Sequence, residues 1–198
     1  EFSDYPNINP STSDGSLDAN FFQHQPYLTS YNKDKGYKKG DDGYLVSVGA
    51  IHFEPLGLYS TKYKAVSDIK DGAKIAIPND ATNEARALLL LADNGVLTLK
   101  KDAGVTATKK DVVSYNKKVE VDFGIINGNY ALDAKVTDKI ITSEDSNSEA
   151  AKTYQNIIAV KESNKDNKAI KKLVEILKSD STKKWIEKKF GVSVKPAE

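Results

Sequence analysis

The sequence predicts an α/β fold with mostly parallel sheet. Short apolar runs alternate along the chain with helix-forming segments; in the clearest case, the run 74–78 is followed by a polar turn and the helix-forming segment 85–92. Strands separated by helices favour parallel pairing, because the chain crosses back over the sheet between them. A length of 198 residues is enough for one large domain or for two smaller lobes with cores of their own.

Five segments are predicted as strands because they are apolar or alternate in polarity and are bounded by turn residues. They are residues 17–21, 44–53, 74–78, 119–126 and 156–160. Pro55 and Gly57 follow the second of these strands. They predict a break and a change of direction there, as at a hinge between two lobes.

Helices are predicted where apolar residues recur at helical spacing or where strong helix formers cluster. The predicted helices are 26–35, 85–92, 170–177 and 182–190, and 130–135 is predicted as a helix or a turn. Gly36 and Gly191 mark two helix ends, and the last helix is expected to bury Trp185 and Ile186. The segments predicted as irregular are 1–16, 95–118 and 136–152, apart from a strand remnant at 1–3 and a short helix at 108–111.

The composition excludes several classes of protein. The 29 basic and 28 acidic residues are interspersed and give a net charge of +1, so we expect neither a nucleic-acid-binding stripe nor a membrane-binding face. The absence of cysteine excludes a disulfide framework, a thiolate nucleophile and a cysteine-based zinc site. No apolar run approaches the length of a transmembrane helix.

The patterns of catalytic and metal-binding sites are missing from the sequence. His24 and His52 are the only histidines, and two histidines alone are a weak metal signal. The acidic residues have neither a paired arrangement nor the spacing of a calcium loop, and no glycine-rich phosphate loop is present. We therefore expect no enzyme activity, no metal and no cofactor.

The segment 73–91 carries the most informative chemistry of the chain. It predicts a strand, a polar turn and a helix capped by Asp80 or Thr82, and such a helix start favours anions. Arg86, the only arginine in the chain, lies in the predicted first turn, where the helix dipole disfavours a cation. An arginine at that position suits bidentate binding of a carboxylate, because its guanidinium group is planar and presents parallel N–H donors. The alternative is a surface arginine paired with Glu84 or a nearby aspartate.

Polar and aromatic side chains follow three predicted strands, and open α/β sheets bind ligands at such strand ends. The candidates that can contact a ligand there are Arg86, Asn20, Asn83, Asn127, Phe21, Phe22 and Tyr130. A carboxylate clamp, amides and apolar rings together suit a zwitterionic small molecule with an apolar side chain. Each asparagine could instead cap a turn, one of the two adjacent phenylalanines is expected in the core, and His24 is expected to be structural.

Four runs of the sequence resemble a known family. They are DANFFQHQPYL (18–28), VGAIHFEPLGLYS (48–60), AIPNDATNEARALLLL (76–91) and INGNYAL (126–132). These runs resemble the methionine-binding lipoproteins of the NlpA family, which are substrate-binding proteins of methionine ABC transporters. The resemblance extends from about Phe2 to Ala197.

The resemblance implies a two-lobed periplasmic-binding-protein-like fold of type 2, with the ligand in the cleft between the lobes. Lobe 1 would comprise residues 1–57 and 158–198, and lobe 2 residues 58–157. The family's arginine that holds the amino acid carboxylate matches Arg86. The matching asparagines, expected to contact the ligand's amino and carboxylate groups, are Asn20, Asn83 and Asn127. Aromatic side chains, with Phe21 or Phe22 as the candidates, would close over the thioether.

The resemblance also implies partners and a location. The ligand would be L-methionine, D-methionine or a methionine-containing dipeptide such as Gly-Met, delivered to an ABC transporter permease by a monomer. The protein would be extracytoplasmic and held at the membrane by a lipid on an N-terminal cysteine ahead of residue 1. In the family, a further strand and helix precede the segment that corresponds to residue 1. The family also has another strand and helix at the position of residues 114–124, and that stretch is too short to contain them. The alternative function is a ligand-sensing regulatory or surface interaction domain on the same fold.

Overall fold

The computed structural model describes residues 5–70, 73–115 and 119–197. The strand remnant predicted at 1–3 and part of the segment 114–124 lie outside these residues. The chain divides into two compact units. Unit 1 comprises Glu1–Glu54 and Asn147–Glu198, and unit 2 comprises Pro55–Ser146.

Helices and strands are interleaved along the described chain, in agreement with the predicted α/β class. The α-helices are α1 (Ile8–Ser13), α2 (Gln25–Asp34), α3 (Ala81–Asp93), α4 (Gly128–Asp133), α5 (Glu149–Thr153), α6 (Lys168–Leu177) and α7 (Asp180–Phe190). The strands are β1 (Asn20–His24), β2 (Leu45–Phe53), β3 (Leu56–Tyr59), β4 (Ala73–Ala76), β5 (Leu97–Leu99), β6 (Val112–Tyr115), β7 (Val119–Asn127), β8 (Ile140–Ser143), β9 (Asn156–Lys161) and β10 (Lys195–Pro196).

The sheet of unit 1 has the strand order β1-β9-β2-β10, and its neighbouring strands are antiparallel. The prediction of mostly parallel sheet is wrong for this unit. Strands β1 and β2, which α2 connects, do point in the same direction, as a strand–helix–strand sequence predicts. Strand β9 arrives from a distant part of the chain and lies antiparallel between them, which no local pattern indicates.

Helices cover both faces of this sheet because β9 is apolar on both sides. Ile157 and Ala159 pack with Leu28 of α2, whereas Ile158 and Val160 pack with Ile170 of α6. Alternate residues of a strand point to opposite faces, so the four-residue apolar run 157–160 serves two cores. Each fully buried aliphatic side chain contributes about 1.5–3 kcal/mol.

The sheet of unit 2 is mixed, with the order β4-β7-β3-β8. Strands β4 and β7 are parallel, and β3 is antiparallel to both of its neighbours. The predicted parallel sheet is therefore wrong here too, beyond the β4–β7 pair. Helix α3 packs on the sheet through Leu88 and Leu91, against Leu58, Phe123 and Ile125. Strands β5 and β6 form a separate antiparallel pair.

Pro55, one of the two residues predicted to mark a hinge, is the first residue of unit 2, whereas Gly57 belongs to the inner strand β3, whose four residues are all buried. The transitions between units fall at 54/55 and 146/147, whereas the sequence placed the lobe boundaries at 57/58 and 157/158. The second transition comes earlier because β9 pairs with β1 and β2 and so belongs to unit 1.

Several short elements lie in segments predicted as irregular. They are α1, β5, β6, β8 and α5, each of three to six residues. Helix α1 contains Pro10 and several residues with low helix propensity, so its pattern does not predict a helix. In α7, Ile186 is buried as expected, but Trp185 is 53% exposed, which contradicts the prediction that it lies in the core.

Candidate functional site

Helix α3 begins earlier than the sequence predicts. Its N-cap is Asp80, whose Oδ1 accepts a hydrogen bond of 3.0 Å from the backbone N–H of Asn83. Such a cap stabilises a helix by about 1 kcal/mol. Because the helix starts at Ala81, Arg86 lies in its second turn and not in its first. The helix dipole therefore disfavours this cation less than the sequence indicated.

Arg86 is one of the most buried side chains of unit 2, with 1% of its surface exposed. Its Nε donates a hydrogen bond of 3.0 Å to Oε1 of Glu144, and its Nη2 donates one of 2.5 Å to Oε2. Its Nη1 donates to Oδ1 of Asn83 at 3.0 Å. The bidentate carboxylate partner of Arg86 in this structure is Glu144, neither Glu84 nor an aspartate, and bidentate binding of a ligand carboxylate stays a prediction.

Glu144 follows β8 and is fixed by the central strand of the sheet. Its Oε2 accepts a hydrogen bond of 2.9 Å from the backbone N–H of Leu56, and its own N–H donates to the Leu56 carbonyl at 2.9 Å. Strand β3 thus holds the carboxylate that holds Arg86. No sequence signal singled out Glu144, because it lies 58 residues from Arg86 in a polar segment.

Asn83 is the second contact that orients Arg86. Its Nδ2 donates to Oδ2 of Asp80 at 3.0 Å, so its Oδ1 is turned toward the guanidinium. Asp80 therefore acts twice, as helix cap and as the group that orients Asn83. Glu84, the alternative partner considered for Arg86, instead lies 3.6 Å from Nζ of Lys109.

Asn127 ends strand β7 at the same end of the sheet as Leu56. In the β3–β7 register it is opposite Leu56, the residue whose N–H holds Glu144. Asn127 occupies the N-cap position of α4, yet its side chain makes no capping hydrogen bond. Two residues on, Asn129 has a buried Oδ1 with no hydrogen-bond partner among the described residues. Sequence reasoning missed Asn129, and an unsatisfied acceptor is a feature that only the structure reveals.

The remaining predicted residue of unit 2 is Tyr130, on α4. Its side chain is 45% exposed, so its ring can cover a small molecule. Unit 2 therefore brings the predicted residues Arg86, Asn83 and Asn127 to one end of its sheet, with Tyr130 three residues after Asn127.

In unit 1, the predicted ligand residue Asn20 belongs to a buried network of neutral side chains. Its Nδ2 donates to Oδ1 of Asn9 at 3.1 Å and to Oγ1 of Thr12 at 2.7 Å, and its Oδ1 accepts from Gln23 at 2.9 Å. Gln23 and Asn9 also exchange two hydrogen bonds. Both amide protons of Asn20 are thus used inside the unit, which gives this residue a structural role.

Phe21 and Phe22 point to different environments, as adjacent strand residues do. Phe21 is 42% exposed and lies edge-on to His52, at 5.2 Å between ring centroids. Phe22 packs between Tyr5 and Tyr27, with centroid distances of 5.4 and 5.8 Å. Phe22 is therefore the member of the pair that has a packing role, and Phe21 is the member that a ligand can reach.

The two histidines make local contacts. Nδ1 of His24 accepts a hydrogen bond from the backbone N–H of Tyr27 at 3.3 Å and so caps α2, in agreement with the expected structural role. Nε2 of His52 lies 2.8 Å from Oε1 of Glu54. Within residues 5–70, 73–115 and 119–197, no three acidic, histidine or cysteine side chains come together as a metal site. In the same residues, no helix is both long and apolar enough to span a membrane.

Comparison with known proteins matches the sequence over its full length. The sequence model of the NlpA lipoprotein family covers residues 1–198. Methionine-binding lipoprotein MetQ of Bacillus subtilis (strain 168) is 37% identical over 212 residues, which cover 98% of this chain and 75% of that protein. The family resemblance predicted from the four sequence runs is confirmed.

Solved structures match at the level of both fold and sequence. A nutrient binding protein from Burkholderia cenocepacia bound to methionine has a TM-score of 0.89 and 40% identity, and the match covers 100% of this chain and 86% of that chain. An ABC transporter periplasmic substrate-binding protein from Coxiella burnetii has a TM-score of 0.87 and 38% identity, over 99% of this chain and 86% of that chain. The predicted fold of the periplasmic-binding-protein type is confirmed.

Proposed function

This chain belongs to the NlpA lipoprotein family, and from that premise we propose that it is a substrate-binding protein that captures methionine and delivers it to an ABC importer. The observation that carries the proposal is the cluster in which Asn83 and Glu144 hold the buried guanidinium of Arg86. The ligand comes from the relatives, since one is named for methionine binding and another is described as bound to methionine.

Arg86 is the proposed partner of the ligand carboxylate. Asn83 and Glu144 fix its guanidinium before any ligand arrives, so little side-chain freedom remains to be lost on binding. A planar guanidinium also binds a carboxylate with defined geometry, which the point charge of a lysine does not provide. This accounts for a single arginine in a chain whose other basic residues, the two histidines apart, are all lysines.

The proposed partners of the ligand's amino group are the amide oxygens of Asn127 and Asn129. The Asn127 side chain is not used as a helix cap, and Oδ1 of Asn129 is a buried acceptor without a partner in the described residues. Leaving a buried acceptor unpaired costs about 1–3 kcal/mol. An ammonium group donates up to three hydrogen bonds and would remove that cost.

The proposed contacts to the thioether are Phe21 and Tyr130. Both rings are more than two-fifths exposed, so a ligand side chain can reach them. Contacts between sulfur and an aromatic ring contribute about 0.3–1.5 kcal/mol. Ligand contacts of Asn20 and Phe22 stay predictions. The hydrogen bonds of Asn20 and the aromatic neighbours of Phe22 explain the positions of these side chains without a ligand.

The finer parts of the proposal concern the form of the ligand and the setting of the protein. L-methionine, D-methionine and Gly-Met all carry a carboxylate, an amino group and a thioether, so the same contacts serve each of them. We propose binding without catalysis, because the relatives are named as binding proteins. We also propose that the protein is a monomer and that its partner is an ABC permease. A lipid anchor would hold it on the outer side of the cell membrane.

Native mass spectrometry of the purified protein, followed by mild denaturation, tests this function. We expect the release of methionine, and we expect Arg86→Ala purified in parallel to carry none. Release of a methionine dipeptide would keep the transport class and change the substrate. A folded wild-type protein that is empty and also fails to bind added L-methionine, D-methionine and Gly-Met would contradict the proposal.

A further inference from the structure

The end of α7 in unit 1 exposes aromatic and aliphatic side chains that the sequence pattern placed in the core or left unassigned. Trp185, the only tryptophan in the chain, is 53% exposed and lies edge-on to Phe190, at 5.6 Å between ring centroids. Val192, just beyond the helix, is 72% exposed. On α6, Leu173 and Ile176 are also exposed. We call the exposed surface of helices α6 and α7 with Val192 the α6–α7 surface.

Lysines lie among these apolar side chains. Lys188 and Lys189 are three and four residues after Trp185, so all three share one face of α7. Nζ of Lys189 lies 5.1 Å from the centre of the Trp185 ring and 5.8 Å from that of Phe190. The ammonium group of Lys189 therefore lies with the rings of Trp185 and Phe190.

The charge of the chain is concentrated on the same two helices. Residues 168–190 contain eight lysines and three acidic residues, which gives a net charge of +5. The whole chain carries +1, so the remainder carries −4. The net charge of +1 led to the prediction of no membrane-binding face. That total does not reveal the local excess of positive charge on these two helices. Two of these lysines form ion pairs, Lys172 with Glu175 on α6 and Lys171 with Asp166 just ahead of α6.

We propose that the α6–α7 surface docks on an anionic lipid surface. Tryptophan and phenylalanine beside lysines on one helix face are the pattern of segments that lie in the membrane interface. Exposed apolar groups spread over two helices and interspersed with lysines suit a deformable surface of lipid headgroups. The +5 charge complements phospholipids of negative charge.

This contact is separate from the proposed methionine site and does not depend on a lipid anchor. One weak interaction holds a protein at a membrane only marginally, and a basic surface is a common second one. A protein held against the lipid by the α6–α7 surface would stay close to a membrane-embedded transporter.

Intrinsic fluorescence tests the proposal without any label, because Trp185 is the only tryptophan. The probe is a vesicle made of equal parts of phosphatidylglycerol and phosphatidylcholine, compared with vesicles of phosphatidylcholine alone. We expect the Trp185 emission to shift to shorter wavelength with the anionic vesicles only, and the shift to be reversed by salt. An unchanged emission at low salt would overturn the proposal.

Charge-reversal variants locate the contact. Lys188→Glu with Lys189→Glu is expected to weaken co-sedimentation with the anionic vesicles by more than about tenfold. The matched control is Lys33→Glu with Lys35→Glu, which makes the same charge change at exposed positions at the end of α2, on the opposite face of the unit 1 sheet from α6, and we expect it to change co-sedimentation by less than about twofold. Equal losses in both variants would mean non-specific attraction and would overturn the proposal.

Two further measurements separate this proposal from its alternatives. Trp185→Ala is expected to weaken co-sedimentation while leaving methionine affinity unchanged in the same preparation, so a failure of the proposed function would be visible on its own. If the Lys188→Glu with Lys189→Glu variant slows methionine uptake in cells but binds anionic vesicles like wild type, the surface belongs to a protein partner. That result would overturn the lipid proposal.

Discussion

The two units each bury a polar cluster, and the two clusters differ in chemistry. In unit 1 the neutral side chains of Asn9, Thr12, Asn20 and Gln23 bond to one another, and all four are less than 9% exposed. In unit 2 the cluster of Asp80, Asn83, Arg86 and Glu144 is built on an ion pair. Sequence reasoning treated Asn20 and Arg86 alike, as ligand contacts.

The difference teaches that burial alone does not identify a binding residue. A neutral network that satisfies its own donors and acceptors is complete without a ligand, and it fixes the local fold. A buried ion pair carries a high desolvation cost and is weak evidence for stability, so its retention calls for another reason. Recognition of a carboxylate is such a reason in unit 2.

The largest expected effect is that of Arg86→Ala. Removing one partner of the buried Arg86–Glu144 pair costs about 3–5 kcal/mol, so we expect the unfolding free energy to fall by that amount. The ligand carboxylate loses its proposed partner as well, which typically costs about 2–5 kcal/mol, so we expect methionine affinity to fall more than about 100-fold. Calorimetric titration and chemical denaturation measure the two quantities. Arg86→Lys is the control that keeps the charge and loses the planar fork, and it too should bind methionine poorly. Unchanged affinity in either variant would remove Arg86 from the site.

Glu144→Gln separates the holding of Arg86 from contact with the ligand. The amide keeps the shape of the carboxylate and loses its charge, so we expect the unfolding free energy to fall by about 3 kcal/mol. Methionine affinity should fall by less than about tenfold, because Arg86 and Asn83 remain. A folded variant that binds no methionine would make Glu144 a ligand contact, and a rise in affinity would make it a competitor of the ligand carboxylate. Either result would contradict the assigned role.

Asn20→Ala tests the neutral network of unit 1. The substitution leaves a donor of Gln23 and the acceptor of Thr12 unpaired, while Oδ1 of Asn9 keeps its bond from Gln23, so we expect a loss of about 2 kcal/mol in the unfolding free energy. Methionine affinity of the folded fraction should change by less than about twofold. Thr12→Val, which alters the same network from α1, is the matched control and should behave similarly. A selective loss of affinity in Asn20→Ala would restore this residue as a ligand contact.

The smallest expected effect separates the two adjacent phenylalanines. Phe21→Ala removes an exposed ring, so we expect methionine affinity to fall by about tenfold while stability changes little. Phe22→Ala removes the ring between Tyr5 and Tyr27, so we expect the loss to appear in thermal unfolding instead. The opposite assignment of the two losses would exchange the roles of these residues.

The bounds of the long helices and strands were predictable from the sequence. The directions of strands that pair across a large sequence separation were not. Strand β2 and helices α2 and α7 agree with their predicted segments to within two residues, because their periodicity and end signals are local. The placement of β9 between β1 and β2 depends on contacts far apart in the chain, so the strand directions were wrong. The exposure of Trp185 was also missed, since a helical pattern does not say which residues at the edge of the apolar face meet a neighbour.

The candidate site was predictable in part for the same reason. Arg86 stands out in the sequence because it is the only arginine, and Asn83 lies within the same motif. Glu144 and Asn129 carry no such signal, because the first acts through a contact across 58 residues and the second through an unsatisfied atom. Asn20 was selected by its motif, which does not reveal that its amide is already bonded.

The measurement that tests the central claim most directly compares L-methionine with its methyl ester, on wild type and on Arg86→Ala. The ester lacks the negative charge that Arg86 is proposed to hold. Calorimetric titration should find the ester bound more than about 100-fold more weakly than methionine by wild type, and the two ligands bound about equally by Arg86→Ala. Equal binding of both ligands by wild type, or an undiminished preference in a folded Arg86→Ala, would contradict the account.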